Sequence, residues 1–403
     1  MNQSKNNHFM PLLMALCVVV GILIGTFYAN HFSGNRLNII NSGSSRLSNL
    51  LHIIDDQYVD SVNIDELVDK AIPEILSELD PHSVYISAKD VQLATDDLKG
   101  SFSGVGIEFT IRQDTLRIQN VIKDGPADKA GLLAGDKVVS INGKSFVGKD
   151  VTNEEAMHRL KGPKDSKVKI GVKRYGEKGV KMFTVTRGDI AVKSVSAAYM
   201  LNDTTGYIRI KSFGERTYAE MLAALQTLNI RGADHLVIDL RDNGGGILES
   251  AVQMANEFLP KNRLIVYTQG RKSPRVNYRS DGKGSYQHIP MVVLINEGSA
   301  SAAEIFAGAM QDNDRATIVG RRSFGKGLVQ QQIQFNDGSL IRLTIARYYT
   351  PSGRCIQKPF KPGDNADYEN DILTRYQHGE FFSQDSIKHE GPAYHTVNGI
   401  CCC

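Results

Sequence analysis

Cysteine is scarce in this sequence and is placed where it cannot build a disulfide framework. Only five cysteines occur among 403 residues: Cys17 in an apolar segment, Cys355 alone, and Cys401–Cys403 at the end. No CxxC pair is present, so the spacing does not favour a zinc site. We interpret Cys355 as a small buried or half-buried thiol. The terminal run could bind a metal or cross-link chains, but we treat it as incidental.

Charge of one sign is not concentrated anywhere either. The 47 basic and 44 acidic residues are interspersed and leave a net charge of +3, which argues against a nucleic-acid partner. The apolar fraction of 41% and the charged fraction of 23% are those of ordinary globular proteins, so a wholly disordered or fibrous chain is excluded. The length predicts two or three domains, and the sequence contains no internal repeat.

One long apolar run is present, at the N terminus. Residues 9–29 carry no charge and are numerous enough to cross roughly 30 Å of hydrocarbon as a helix. A cleaved signal peptide needs an A-x-A-like site, and Tyr28-Ala29-Asn30 is a poor one, so we favour an uncleaved membrane anchor. Lipid attachment at Cys17 is disfavoured because bulky Leu16 precedes it. The expectation is a cytoplasmic segment 1–8, with the rest of the chain exported to the periplasmic side of the cell envelope.

The hydrophobic pattern changes several times along the remaining chain. Apolar residues recur at helical spacing before residue 99, and short alternating strands with glycine turns follow. Two apolar runs, 235–240 and 291–295, each precede a helical pattern and are typical of strands in an α/β core. Asn336-Asp337-Gly338 predicts a hairpin, and the end of the chain reads as polar and loop-like. The predicted fold is a multidomain α+β chain in this order: anchor or signal segment 9–29, helical region 30–99, β-rich module 100–188, α/β core 189–355 and tail 356–403.

The β-rich module carries two signals for peptide binding. In Gly104-Val105-Gly106-Ile107, two glycines allow backbone N–H groups to converge on a carboxylate, and the following strand edge could accept an extended peptide. The stretches 124–132 (D-G-P-A-D-K-A-G-L) and 135–143 (G-D-K-V-V-S-I-N-G) resemble a PDZ domain of the bacterial protease type. The resemblance implies recognition of a free C-terminal tail with apolar side chains. A β-barrel module without a ligand is the alternative.

Three stretches of the core indicate a chemical centre. Residues 239–246 (D-L-R-D-N-G-G-G) end a buried strand in a glycine run whose N–H groups could point at an anion, unless the run is only a tight turn. Residues 296–304 (N-E-G-S-A-S-A-A-E) place serine where a strand turns into a helix, a setting that suits either a nucleophile or an N-cap. Residues 323–330 (S-F-G-K-G-L-V-Q) place Lys326 between two glycines.

The kind of nucleophile follows from what these stretches lack. A phosphate-binding loop needs Ser or Thr after its lysine, and Gly327 stands there. None of the ten histidines lies beside an acid at a strand end in this region, so a serine–histidine enzyme is not indicated. A serine–lysine pair is the remaining combination of nucleophile and base.

The combined motifs are similar to those of the carboxyl-terminal processing proteases, the tail-specific serine peptidases. The similarity rests on S-A-S-A-A-E-I followed by F-G-K-G-L-V-Q, and it extends from Leu79 to Gly353 with the PDZ-like module inserted before the core. It implies a crotonase-like βα arrangement of the core and no metal or organic cofactor. Ala303 stands where the family usually has another serine. The family also continues beyond the region of Tyr349–Pro351, and either a truncation or a change of reading frame would account for the different ending of this chain.

The resemblance assigns a role to each motif residue. It implies Ser301 as the nucleophile, Lys326 as the general base, Gln330 as the residue that orients the lysine, and the N–H groups of Gly246 and Ala302 as the oxyanion hole. Ser299 is the rival nucleophile, and its place also fits a turn or an N-cap.

This assignment requires Lys326 to be neutral for attack. Lowering a lysine pKa from about 10.4 to about 7–8 costs roughly 3–5 kcal/mol, which burial can supply. The expected partners are proteins with apolar C-terminal tails, and a homo-oligomer is left open. Two other functions compete with the peptidase: a non-catalytic PDZ scaffold, and a crotonase-like acyl-CoA enzyme.

Overall fold

The computed structural model describes residues 14–16, 18–22, 43–91, 94–95, 101–149, 151–191, 193–383 and 392–402. Its contacts divide the chain into two compact units, Met1–Ile72 and Pro73–Cys403. The predictions for 1–8 and for most of 9–29 lie outside the described residues, as do Cys17 and Cys403. Residues 14–16 and 18–22 are helical. No helix within these described ranges is both long and apolar enough to span a membrane.

Helices dominate the region before the β-rich module, as predicted, but one strand interrupts them. Helix α1 is Gly43–Gln57, and α2, Ile64–Ser77, crosses the boundary between the two units. The helical prediction is wrong at β1, Val84–Ile86, which pairs antiparallel with β18, Leu340–Tyr349. The V-Y-I triplet has the β-branched and aromatic composition that suits a strand. Its partner lies far away in the sequence, so no local pattern revealed the pairing.

The β-rich module is an antiparallel sheet in the order β3-β4-β5-β7-β8, with β6 attached to β5. A separate pair, β2 with β9, joins the two ends of the module. Strand β3 lies at one end of the sheet order. Buried apolar residues such as Leu116, Val138 and Ile170 fill the interior. The elements are β2 Ser101–Gly104, β3 Ile107–Arg112, β4 Thr115–Val121, α3 Pro126–Ala130, β5 Lys137–Ile141, β6 Lys144–Ser145, α4 Asn153–Leu160, β7 Lys167–Lys173, β8 Lys181–Thr186 and β9 Gly188–Ala191.

The core contains a mostly parallel sheet in the order β10-β11-β12-β15-β16. Only the β10–β11 pair in it is antiparallel. The predicted apolar runs are confirmed as the adjacent central strands β12 and β15, and their residues Ile238 and Val293 are fully buried. The elements are β10 Val195–Met200, β11 Thr205–Ile210, α5 Thr217–Ile230, β12 His235–Asp239, α6 Leu248–Phe258, β15 Met291–Ile295, α7 Ala302–Asp312 and β16 Thr317–Gly320.

A second, antiparallel sheet has the order β1-β18-β13-β14, with β17 also on β18. The predicted hairpin at 336–338 is confirmed, because it joins β17 to β18. Helix α7 contacts both sheets, through β16 and β13, and also contacts α6. Its residues are almost all buried, because alanines and Gly308 allow close approach on every side. The remaining strands are β13 Leu264–Gln269, β14 Val276–Arg279 and β17 Leu328–Gln334.

The C-terminal segment is more ordered than its composition predicts. The prediction of a loop-like end is wrong at α8, Asn365–Gln377, and β19, Tyr394–His395, pairs with β20, Cys401–Cys402. Only Tyr368 and Arg375 of α8 are buried. Distant contacts therefore hold this helix: the Arg375 guanidinium donates to the carbonyl oxygens of Arg322 and Ser323.

Candidate active site

The two loops that carry the glycine run and the serine motif leave the sheet side by side. They follow β12 and β15, which are adjacent and parallel, so both emerge at the same edge of the sheet. Two contacts fix the loops to each other. The Ala300 N–H donates to the Asn243 carbonyl at 2.9 Å, and the Asn296 amide donates to Asp242 Oδ1 at 2.7 Å.

The glycine run packs directly against the serine motif. A Cβ added at Gly245 would lie 2.7 Å from Ser301 Cβ and 2.8 Å from the Ala302 nitrogen, so only glycine fits there. Phe213 donates to the Gly245 carbonyl and accepts from the Ile247 N–H. In this parallel bridge, the N–H of Gly246 is directed away from Phe213.

Two backbone donors are thus available at this edge. Gly246 is solvent-exposed, and Ala302 is the first residue of α7, where an N–H has no partner within the helix. The structure brings the glycine run that contains Gly246 to the turn that contains Ser301 and Ala302.

Ser301 has an unusual backbone conformation. Its φ is 55° and its ψ is −115°, a combination that L-residues rarely adopt outside functional turns. The residue lies between β15 and α7 and is half-buried, so a substrate can reach it. Its N–H donates to Glu304 Oε2 at 2.8 Å. The predicted strand-to-helix turn is confirmed, and Ser301 is the N-cap residue of α7; its carbonyl accepts the Glu304 N–H at 2.9 Å.

Ser299, the rival nucleophile, has a structural role instead. Its side chain is fully buried. The hydroxyl donates to the Leu240 carbonyl at 2.7 Å and accepts from the Asn296 N–H at 3.0 Å. These bonds connect the end of β12 to the serine loop, which matches the turn residue that was the alternative interpretation of this position.

The loop that carries Lys326 is held through its backbone. Four successive N–H groups, those of residues 324–327, each donate to an acceptor elsewhere in the core, and Gly325 adopts a left-handed φ of 87°. The pairs are Phe324 to the Ser299 carbonyl at 2.9 Å, Gly325 to Glu304 Oε1 at 2.7 Å, Lys326 to Glu304 Oε2 at 2.8 Å, and Gly327 to Gln357 Oε1 at 2.9 Å.

The electrostatic surroundings of Lys326 favour its neutral form. Burial is the largest effect and lowers the pKa of the Lys326 amine, and the positive charge of Arg342 lowers it further. The Glu304 carboxyl acts in the opposite direction. The balance is a lysine pKa below its usual value, as a general base requires.

Gln330 is anchored by a residue that the sequence analysis did not single out. Its Nε2 donates to the carbonyl oxygen of His82, on the loop before β1. The His82 ring shares a hydrogen bond of 2.8 Å with the Tyr368 hydroxyl. Burial lowers the pKa of His82 to about 4, with Lys326 contributing in the same direction, so this imidazole is neutral at pH 7.

Three functional candidates were thus missed from sequence: Glu304, His82 and Tyr368. Glu304 belongs to the motif S-A-S-A-A-E-I, and His82 lies in residues 79–83 (L-D-P-H-S), where the resemblance begins, but their partners lie far apart in the chain and leave no local signal. Tyr368 lies in the segment that was interpreted as loop. Among the described residues, no group of three or more His, Cys, Asp or Glu side chains is arranged to hold a metal ion.

The proposed carboxylate loop of the β-rich module connects β2 to β3. Gly104 ends β2 and Ile107 begins β3. The Val105 carbonyl accepts from the Ala127 N–H at 2.8 Å, and Gly106 has a φ of 76° that favours glycine. The loop therefore leads directly into the strand at the end of the sheet.

The different roles of the two serines predict different effects of their removal. Ser299→Ala leaves the buried Asn296 N–H without an acceptor and removes one of the two donors to the Leu240 carbonyl, which keeps the Asn243 N–H, so we expect a loss of about 1–3 kcal/mol in the free energy of unfolding. Ser301→Ala removes the half-buried hydroxyl of the α7 N-cap residue and should cost less, about 0.5 kcal/mol, the low end for a serine N-cap, because its backbone N–H and carbonyl keep their bonds to Glu304. Urea denaturation of both variants tests this, and equal losses would contradict the assigned roles.

Family models and known proteins match much of this sequence. A model of peptidase family S41 matches residues 204–368, and a PDZ domain model matches residues 103–186. A carboxy-terminal-processing protease of Bartonella bacilliformis is 40% identical over 78% of this chain and 72% of its own length. A probable CtpA-like serine protease of Staphylococcus saprophyticus is 30% identical over 98% of this chain and 76% of its own.

Solved structures give a looser match. One named photosystem II D1 C-terminal processing protease is 29% identical, with a TM-score of 0.43, over 77% of this chain and 89% of that one. The family assignment therefore rests on the sequence relatives. The chain belongs to peptidase family S41, as a carboxy-terminal-processing serine protease with a PDZ domain.

Proposed function

We propose that this protease cleaves peptide bonds with Ser301 as the nucleophile and Lys326 as the general base. The observation that supports this most strongly is that the backbone N–H groups of both residues donate to one oxygen, Glu304 Oε2, at 2.8 Å each. The main chains of the nucleophile and the base therefore lie close together, on either side of one carboxylate oxygen. The lowered pKa of Lys326 supplies the protonation state that a base needs.

The reaction follows from these positions. The neutral Lys326 amine takes the Ser301 hydroxyl proton as Oγ attacks the peptide carbonyl carbon. The negative charge that develops on the carbonyl oxygen is stabilised by the N–H groups of Gly246 and Ala302. The Lys326 ammonium then returns its proton to the leaving amine, and an acyl-enzyme remains on Ser301. Water, deprotonated by the same lysine, hydrolyses that ester and restores the serine.

Gln330 orients the lysine in this proposal. Its Nε2 is engaged by the His82 carbonyl, so its side-chain oxygen is the atom that can accept a hydrogen bond from Lys326. The Gln330 amide therefore orients the Lys326 amine through this hydrogen bond and does not itself exchange a proton.

Substrate selection is assigned to the PDZ domain. The loop Gly104–Ile107 would bind the terminal carboxylate of a substrate, and the tail would add to strand β3. The end position of β3 in the sheet and the left-handed Gly106 support this.

The membrane-anchored, exported location stays a prediction from residues 9–29, and protease accessibility of the core in spheroplasts tests it.

The two competing functions are not favoured. A non-catalytic scaffold has no use for a buried lysine with a lowered pKa beside a strained serine. A crotonase-like acyl-CoA enzyme needs neither the serine nor the peptide-binding domain, and the core matches a peptidase family instead.

The serine–lysine assignment predicts a specific response to substitution. Ser301→Ala should lower kcat by about 10³-fold or more, as loss of a nucleophile does in other serine enzymes. Lys326→Arg should be equally damaging, because arginine keeps the positive charge but does not deprotonate. In the unchanged enzyme, kcat/KM should rise with pH through an apparent pKa below the ordinary lysine value of about 10.4. Cleavage of an unfolded protein with an apolar tail measures all three, and a fully active Lys326→Arg variant would exclude the lysine base.

Tail recognition makes a separate prediction. A fluorescent peptide with an apolar C terminus should bind Ser301→Ala roughly 10–150-fold more tightly than the same peptide ending in an amide, which corresponds to about 1.5–3 kcal/mol for hydrogen bonds to a charged group. Fluorescence anisotropy with the two peptides measures the ratio. Equal affinities would show that the terminal carboxylate is not recognised.

A further inference from the structure

The Glu304 carboxyl group connects the two proposed catalytic residues. It lies in the first turn of α7, three positions after Ser301, and only 6% of the residue is exposed. Oε2 accepts the N–H groups of Ser301 and Lys326, and Oε1 accepts that of Gly325. The Ser323 hydroxyl also donates to this carboxyl. Three backbone donors and one side-chain donor thus converge on a single buried group.

The donors indicate that the group is ionised. Burial raises the pKa of the Glu304 carboxyl above its usual value and outweighs the four hydrogen bonds, which lower it, so the geometry of the donors and not the pKa supports the ionised form. Backbone N–H groups only donate, so a protonated carboxyl would lose an acceptor position that the loop uses. The consecutive N–H groups of Gly325 and Lys326 converge as they do in anion-binding nests, and the left-handed Gly325 permits it. The position at a helix N-terminus also favours negative charge.

We propose that Glu304 is a positioning residue of this peptidase, which joins the Ser301 turn to the Lys326 loop through one carboxylate so that nucleophile and base keep a fixed separation. This inference rests on the proposed serine–lysine chemistry and goes beyond it. Glu304 touches neither substrate nor the reacting hydroxyl in this role. Its effect is exerted through the backbone of the two residues that react.

The charge of Glu304 has a second consequence, which gives the proposal its test. Three titratable or charged groups interact electrostatically with the Lys326 amine: Glu304 on α7, Arg342 on β18 and His82 on the loop before β1. Arg342 stays positive and His82 stays neutral at pH 7, so among the described groups that shift the pKa of Lys326, Glu304 is the one that favours the ammonium. Removing that charge must lower the pKa of Lys326. The acid limb of the pH–rate profile then moves to lower pH, an effect that a purely structural residue does not produce.

The experiment compares Glu304→Gln, Glu304→Asp and a matched control, Glu257→Gln, in the full chain. Glu257 is also a buried glutamate, 4% exposed, and it lies near the end of α6, away from the site. Its carboxyl accepts hydrogen bonds from the Ser285 N–H and the Tyr218 hydroxyl. For each variant, kcat, KM and the pH dependence of kcat/KM are measured on a peptide substrate, together with the thermal midpoint. Ser301→Ala and Lys326→Arg are included in the same series.

The expected result separates kcat from KM. Glu304→Gln should lower kcat by about 10²-fold, because a 1 Å displacement of reacting groups has that effect, with KM changed by less than threefold and the acid limb moved to lower pH. Glu304→Asp keeps the charge but is one methylene shorter, so kcat should fall while the limb stays in place. Glu257→Gln should change neither kcat nor the limb, whatever it does to the thermal midpoint.

Several outcomes overturn the proposal. In the first case, Ser301→Ala and Lys326→Arg are inactive, but Glu304→Gln has the wild-type kcat or an unchanged acid limb. That result contradicts the positioning role of Glu304 and leaves the serine–lysine chemistry intact. If Ser301→Ala or Lys326→Arg is active, both the serine–lysine chemistry and the positioning role of Glu304 are contradicted, because there is then no catalytic pair to position. If Glu304→Gln does not fold, Glu304→Asp carries the test, and a wild-type kcat in that variant overturns the proposal.

Discussion

The backbone N–H groups of residues 324–327 are bound by acceptors from three other parts of the core: the serine loop, helix α7 and the segment before α8. A lysine on a glycine-rich loop would otherwise move with that loop. Here the main chain of Lys326 is immobilised, so its side chain starts from a fixed point beside Ser301. The segment that follows β18 is part of this support, because Gln357 binds Gly327, and Arg375 binds the carbonyls just before Phe324.

The centre combines several features that each cost free energy. A lysine is held where its charged form is disfavoured, a carboxyl group is buried, and Ser301 adopts a strained φ. These costs persist only because the surrounding structure fixes the groups. Helix α7 is buried on nearly every side, and the adjacent strands β12 and β15 set the relative position of the two loops. The rigidity of the core is therefore what maintains the chemistry at its edge.

Much of this arrangement could be predicted from sequence because its signals are local. Apolar runs identified β12 and β15, and the Asn-Asp-Gly turn identified the β17–β18 hairpin. The adjacency of β12 and β15, which brings the glycine run to the serine turn, was not predicted. Distant pairings left no such signal. Strand β1 depends on β18, α8 depends on two buried side chains, and Ser299 became distinguishable from Ser301 only through its bonds to Leu240 and Asn296. The role of Glu304 depends on three-dimensional convergence in the same way.

The protonation state of Lys326 tests the account most directly. In the intact protein labelled with ¹³C at lysine Cε, the Lys326 resonance can be assigned by its loss in Lys326→Arg and followed as a function of pH by NMR. The account predicts a titration midpoint below the ordinary value of about 10.4. A midpoint at or above that value would mean that the amine is as well solvated or as strongly paired as a surface lysine, and would contradict its role as the base.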